Sequence, residues 1–164
     1  MLRSILSPSE CAECKFCCSF RRCSLWETPR FDAEQTAELQ RKYPRAKFKP
    51  VDGVFTIDID GCYRTDDSEE EALCWFNEGK GCILGKDKPF ECAVWPLRVM
   101  RKDGCLVIVL SPGCRVLSSK PLSVIRQLVD DGLGAKIFEH ARKIPEYVRD
   151  YKEGYPVLDL SEEE

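Results

Sequence analysis

The sequence predicts a small single-domain α+β fold of short helices and β-hairpins, and three features predict it. Cysteines fall in two runs, Cys11-Ala-Glu-Cys14-Lys-Phe-Cys17-Cys18 and then Cys74, Cys82, Cys92 and Cys114, so distant parts of the chain must fold onto one another. Short stretches of period-two alternation, bounded by Asp-Gly or Pro-Gly, read as strands and turns. Stretches with a period near 3.6 read as short helices. A chain of 164 residues is long enough for one domain with its own core. Residues 1–10 are expected to form an N-terminal extension, 11–160 the cysteine-cluster domain and 161–164 an acidic tail.

Residues 9–20 read as a helix or a tight knuckle. On a helix, Cys11, Cys14 and Cys18 share one face at i, i+3 and i+7, with Cys17 beside them. Residues 19–30 look irregular. Asp32, with Gln35 three residues on, is a capping-box signature for a helix over 33–43, largely polar and so on the surface, with Pro44 after it. Residues 54–59 alternate as a strand, Asp60-Gly61 is a tight turn, and 62–64 is the returning strand of a hairpin. The acidic run 66–71 is a solvated loop or the first turn of a helix carrying Leu73, Cys74, Trp75 and Phe76.

Gly79-Lys80-Gly81-Cys82 is a turn that delivers a thiol, its glycines letting backbone amides face the sulfur. Residues 94–100 and 105–110 are strands joined at Lys102-Asp103-Gly104. Ser111-Pro112-Gly113-Cys114 is a second turn ending in a thiol. A helix from Pro121 carries Leu122, Ile125, Leu128 and Val129 and ends at Gly132. A second covers 135–143, and Pro145 opens a last short helix reaching Tyr151. Residues 157–160 form a final strand or extended segment, and Glu162, Glu163 and Glu164 a disordered end.

The balance of 25 basic to 28 acidic residues gives a net charge of -3. This argues against an anionic membrane or nucleic acid as partner. A local set, Lys15, Arg21, Arg22, Arg41, Lys42, Arg45, Lys47 and Lys49, would have to act as a zinc-knuckle-like surface to overturn that. Nothing approaches the ~18 apolar residues of a membrane span, and the opening residues lack a signal peptide's apolar segment. The expectation is a cytoplasmic protein. In that reducing setting, 11 cysteines (an odd number) point to metal rather than disulfides.

The two-residue spacings Cys11/Cys14 and Cys14/Cys17 suit a metal, because a tight turn aims two sulfurs at one centre. His140 is the one histidine and lies far from both runs, so ligation must be all-cysteine. The candidate ligands are Cys11, Cys14, Cys17, Cys18, Cys74, Cys82, Cys92 and Cys114. They suffice for two four-sulfur sites, or for one site plus structural or redox thiols. The candidates for the bound group are an iron–sulfur cluster and Zn2+. Phe16, Phe20, Trp75, Phe76, Phe90 and Trp95 lie close to the cysteines in sequence. They read most simply as core, but as a dry shell they tilt the choice toward [4Fe–4S]. Cys62 and Cys105, in predicted strands, read as buried structural thiols, and Cys23 as a reserve ligand.

On these residues the chain resembles the YkgJ-like cysteine-cluster family, described as a zinc- or iron-chelating domain. The family opens on CxxCxxCC, matched at Cys11, Cys14, Cys17 and Cys18. A later pattern is similar at Cys74, Gly81-Cys82-Ile83, Lys88-Pro89, Cys92 and Trp95-Pro96, and Pro112-Gly113-Cys114 matches more loosely. Lys88 stands where the family usually has arginine. The resemblance implies metal chelation over roughly residues 11 to 115.

Two functional classes follow. One is a non-catalytic metalloprotein with a structural, electron-transfer or accessory role, whose metal ties the two halves together. The other is an iron–sulfur-dependent modifying enzyme or enzyme subunit, related to the cysteine-cluster domain of flagellin lysine methylases. It would use free thiols such as Cys17 or Cys23 and carboxylates such as Asp66, Asp67 and Glu91. Those carboxylates otherwise read as solvated surface charge.

Overall fold

The computed structural model describes Leu2 and residues 5–161, so the predicted disordered end at 162–164 lies outside the described residues. The helices are α1 (Pro8–Cys14), α2 (Ala33–Lys42), α3 (Phe90–Val94), α4 (Arg115–Ser118), α5 (Leu122–Leu128) and α6 (Gly134–Lys143). The strands are β1 (Ser19–Arg21), β2 (Arg30–Phe31), β3 (Phe48–Val51), β4 (Val54–Ile57), β5 (Glu71–Leu73), β6 (Leu97–Lys102), β7 (Cys105–Leu110), β8 (Arg149–Asp150) and β9 (Val157–Leu160). They form three small sheets, ordered β1-β5, β2-β4-β3 and β8-β6-β7-β9, in an α+β fold. Among the described residues no helix is long and apolar enough to cross a membrane.

Two main apolar cores support the fold, beside a small third cluster of Met100, Val107 and Val109. The first lies under the four-stranded sheet, where Leu97, Val99 and Ile108 meet Val94, Leu117, Ile125 and Ile137 from the helices. The second joins the other two sheets through Phe20, Phe31, Leu39, Ile57, Ile59 and Phe76. Cys114 belongs to the first core, while Cys74 and Cys82 pack against the second. The cysteine region therefore lies where the two cores meet.

Several expected elements form as the pattern dictates. Asp32 caps α2 through a reciprocal box: its carboxylate accepts the Gln35 backbone N–H at 2.7 Å, and the Gln35 side-chain Oε1 accepts the Asp32 N–H at 3.4 Å. The β6–β7 hairpin turns at Asp103-Gly104, and β9 forms on β7.

Other elements differ. The partner of β4 lies upstream: β3 and β4 turn at Asp52-Gly53, where φ is +48° and +83°, the two-residue geometry that matches strand twist. The Asp60-Gly61 signal instead opens a single 3-10 turn ending at Cys62, so 62–64 is not a strand. No helix forms around Cys74. Residues 71–73 pair with β1 as Ser19↔Leu73, Phe20↔Ala72 and Arg21↔Glu71. Residues 145–151 give one 3-10 turn and then β8, which lies parallel to β6. Gly132, at φ +104°, ends the helix from Pro121 as expected: α5 runs on through a wide turn to this non-helical kink, and α6 starts beyond it.

Candidate metal centre

The first cysteine run divides between two kinds of backbone. Ser7 caps α1 by a reciprocal box with Glu10, and the helix carries Cys11 and Cys14. Lys15 then adopts the left-handed conformation (φ +54°) and stops the helix. A 3-10 turn, Phe16–Cys18, follows, so of the two readings, helix or tight knuckle, the helix holds through Cys14, and Cys18 leaves its stripe. Cys18 is instead drawn to the second run: the Cys74 N–H donates to the Cys18 carbonyl at 2.7 Å, extending the β1–β5 ladder by one rung. The Tyr63 hydroxyl anchors the same ribbon by donating to the Phe20 carbonyl at 2.8 Å.

The remaining cysteines arrive on short elements. Cys82 lies on a tight loop that bridges back to Asn77. Cys92 is on α3, and Cys114 immediately precedes α4 and is 4% exposed. Two glycines allow these loops to close on the first run. A Cβ at Gly81 would stand 3.0 Å from the Ala12 Cβ on α1. A Cβ at Gly113 would stand 2.1 Å from the Phe16 ring, which is also 5.7 Å from Trp95 between ring centres. Each glycine precedes a candidate ligand, so its bare backbone is what brings that thiol in.

The result is a cavity of about 220 Å³ walled by Cys11, Cys14, Cys17, Cys82, Cys92 and Cys114, with Lys88, Trp95, Leu2 and Leu6. That is far more than the roughly 10–15 Å³ one water needs. Cys18 stands just behind this wall, its sulfur 3.9 Å from that of Cys17. Cys74 lies close enough to Cys18 and Cys82 to feel their charge. All eleven thiols are free. Among the described residues no three Cys, His, Asp or Glu side chains close on one point tightly enough to hold a metal ion. The thiols stand around a space instead of meeting at a centre.

The electrostatics of the wall are uneven. Hydrogen bonding to Cys17 lowers the Cys11 thiol to about 6, with burial opposing and Lys88 assisting. Cys17 likewise lowers Cys18 to about 7, against burial and with help from Lys88 and the Asn77 side chain. Cys17 itself is raised, because it is the shared donor to both sulfurs and is buried. Burial pushes Cys74 up to about 12, the Phe76 amide opposing. It also raises Cys82, against the Leu84 amide, and Cys114, against the Leu117 and Val116 amides. Cys92 is raised well above the usual thiol range, by burial first and then by Cys74. Amides that turn toward sulfur stabilise its thiolate form, which is the form that binds metal.

The other cysteines stay apart from this wall. Cys23 is exposed and donates to Glu69 at 3.3 Å. Cys62, in its 3-10 turn, and Cys105, at the start of β7, are partly buried. Of the aromatics, Phe20 and Phe76 are core, Trp95 stands at the cavity, and Phe16 is exposed and packs against Trp95.

Sequence reasoning missed two features here. Glu91 is buried rather than solvated, and burial raises it to about 7. Its Oε2 accepts the Arg30 N–H at 3.0 Å. Lys88 stood out in the sequence only as a departure from the family pattern, yet it stands in the cavity wall. Its place one residue before Pro89 and four before Cys92 was the available signal. Asp66 and Asp67 are exposed, as expected. Of the basic residues, Arg21 pairs with Glu69 and Glu71, Lys42 with Glu38 and Asp87, and Lys49 with Asp60.

No protein-family model matches the chain, and no curated protein or solved structure does so either.

Proposed function

We propose that the chain is a non-catalytic metal-binding protein whose thiol-walled cavity takes an iron–sulfur cluster in preference to a single zinc ion. The observation that carries this reading is the wall itself. Cysteines from α1, the turn after it, the Gly81 loop, α3 and the Gly113 turn all face one cavity. Thiols gathered from five segments, partly buried except for the buried Cys114, have no comparable use as packing groups, and thiolate donors suit soft metals.

The donor set fits the group. All donors are sulfur, backbone amides oppose the rise of Cys74, Cys82 and Cys114, and a lysine supplies positive charge. The volume favours a polyatomic cluster, because a lone ion would leave most of 220 Å³ empty. When bound, an iron–sulfur cluster supplies one-electron chemistry, whereas zinc supplies a cross-link. The chain's own part is to release protons from the thiols, close the wall inward and keep water out with Trp95, Leu2 and Leu6. Closure joins the two apolar cores, so binding and folding free energy are coupled. A reducing, cytoplasmic setting belongs to the proposal, because it keeps the thiols free.

Single replacements test it. C82A, C92A and C114A should each lose at least half of the bound metal, while C23A and C105A keep it. Equal metal content across all five variants would refute the assignment.

A further inference from the structure

Lys88 is placed by its backbone. The 3-10 turn Gly85–Asp87 ends just before it, and Pro89 follows, restricting Lys88 to the extended conformation it shows (φ -58°, ψ 128°). The residues around it commit their charges elsewhere. Asp87 pairs with Lys42 at 3.1 Å, Glu91 accepts from the Arg30 amide, and Glu10 at the cavity accepts from the Ser7 amide at 2.8 Å. The Lys88 side chain is half-buried in the cavity wall. The charges that raise it, against burial, are those of Cys11, Cys17, Cys82 and Cys92, contributed by four separate segments.

We propose that Lys88 is the counter-cation of the thiol core: a positioning residue that sets how much negative charge the core holds and so tunes the affinity and potential of the group bound there. The inference rests on the metal reading above. Four thiolates around a divalent centre leave two net negative charges in a partly dry site, and burying unpaired charge is costly. One fixed ammonium in the wall halves that excess. Arginine can supply the charge in its place, whereas an uncharged side chain of similar length cannot.

The test compares wild type, K88R and K88M, each purified anaerobically and titrated with a competing chelator. K88M should bind metal at least tenfold more weakly, within the range seen when groups that support metal ligands are removed. K88R should stay within about twofold of wild type. If the bound group is iron–sulfur, K88M should also take up an electron at a lower potential. Affinity and potential unchanged in K88M would overturn the role of Lys88 and leave the metal site standing, whereas wild type without metal would overturn both. A second readout needs no variant. In wild type, metal loading should slow acylation of Lys88 by acetic anhydride at least tenfold while leaving Lys136, exposed on α6 and away from the cavity, unaffected. Equal slowing, or none, would overturn the proposal.

Discussion

Replacing Gly81 by alanine tests the closure of the two cysteine runs. Gly81 has φ +108°, a region an L-residue enters at a cost of about 1–3 kcal/mol. The added Cβ would also stand 3.0 Å from the Ala12 Cβ, inside the ~3.5–4.0 Å at which carbon atoms attract. Relief requires the Cys82 loop and α1 to separate, which moves Cys82 away from Cys11 and Cys14. Gly79 is the control: its φ is +87°, and a Cβ there meets nothing within 4 Å. Gly79→Ala should therefore show the backbone cost alone. Gly81→Ala should add about 1–3 kcal/mol of overpacking to it. Urea unfolding of the metal-free variants measures both costs, and metal content after anaerobic reconstitution reads the effect on the site. Gly79→Ala should reconstitute fully and Gly81→Ala poorly. Equal stability and equal metal content in the two variants would refute the argument that this contact brings the runs together.

Three further outcomes follow. Asp32→Ala removes the α2 capping box and should lower stability by about 1 kcal/mol in a urea melt, with metal content unchanged. Tyr63→Phe removes the hydrogen bond to the Phe20 carbonyl and should cost about 1 kcal/mol. Amide hydrogen exchange should then quicken in Ser19–Arg21 and Glu71–Leu73. His140, packed against Phe90 and Tyr147, is held below 6.5 by burial first and then by Lys143. Its neutral form is therefore favoured on folding, and stability is lost as pH falls from about 6.5 through the lower folded value. The slope is at most about 1.4 kcal/mol per pH unit, reduced by screening at this half-buried site. H140Q should flatten that part of the stability profile, which chemical denaturation at several pH values would read.

The parts of the fold legible in the sequence were those with local causes. The capping box at Asp32 and Gln35, the Asp103-Gly104 hairpin and the helical spacing from Leu122 each act within a few residues. What was not legible depended on distant partners. The strands of the β1–β5 ribbon have three residues each and lie about fifty positions apart, so neither shows a usable alternation. Two Asp-Gly pairs competed to be the turn beside β4, and Asp52-Gly53 won because Phe48 to Val51 supplies a strand to pair with. Cys18 left the helical stripe because Lys15 turns left-handed, which a lysine does not advertise. The gathering of the cysteines was foreseeable from their number and spacing. The burial of Glu91 and the position of Lys88 in the wall were not, since both depend on where α3 packs.

The measurement that bears most directly on the central claim is metal and acid-labile sulfide content of the wild-type chain after strictly anaerobic purification. The account predicts iron and sulfide in roughly equal amounts, about four of each per cluster. Zinc without sulfide would preserve the thiol site but overturn the cluster. A folded protein carrying neither would contradict the claim that this cavity is built for metal.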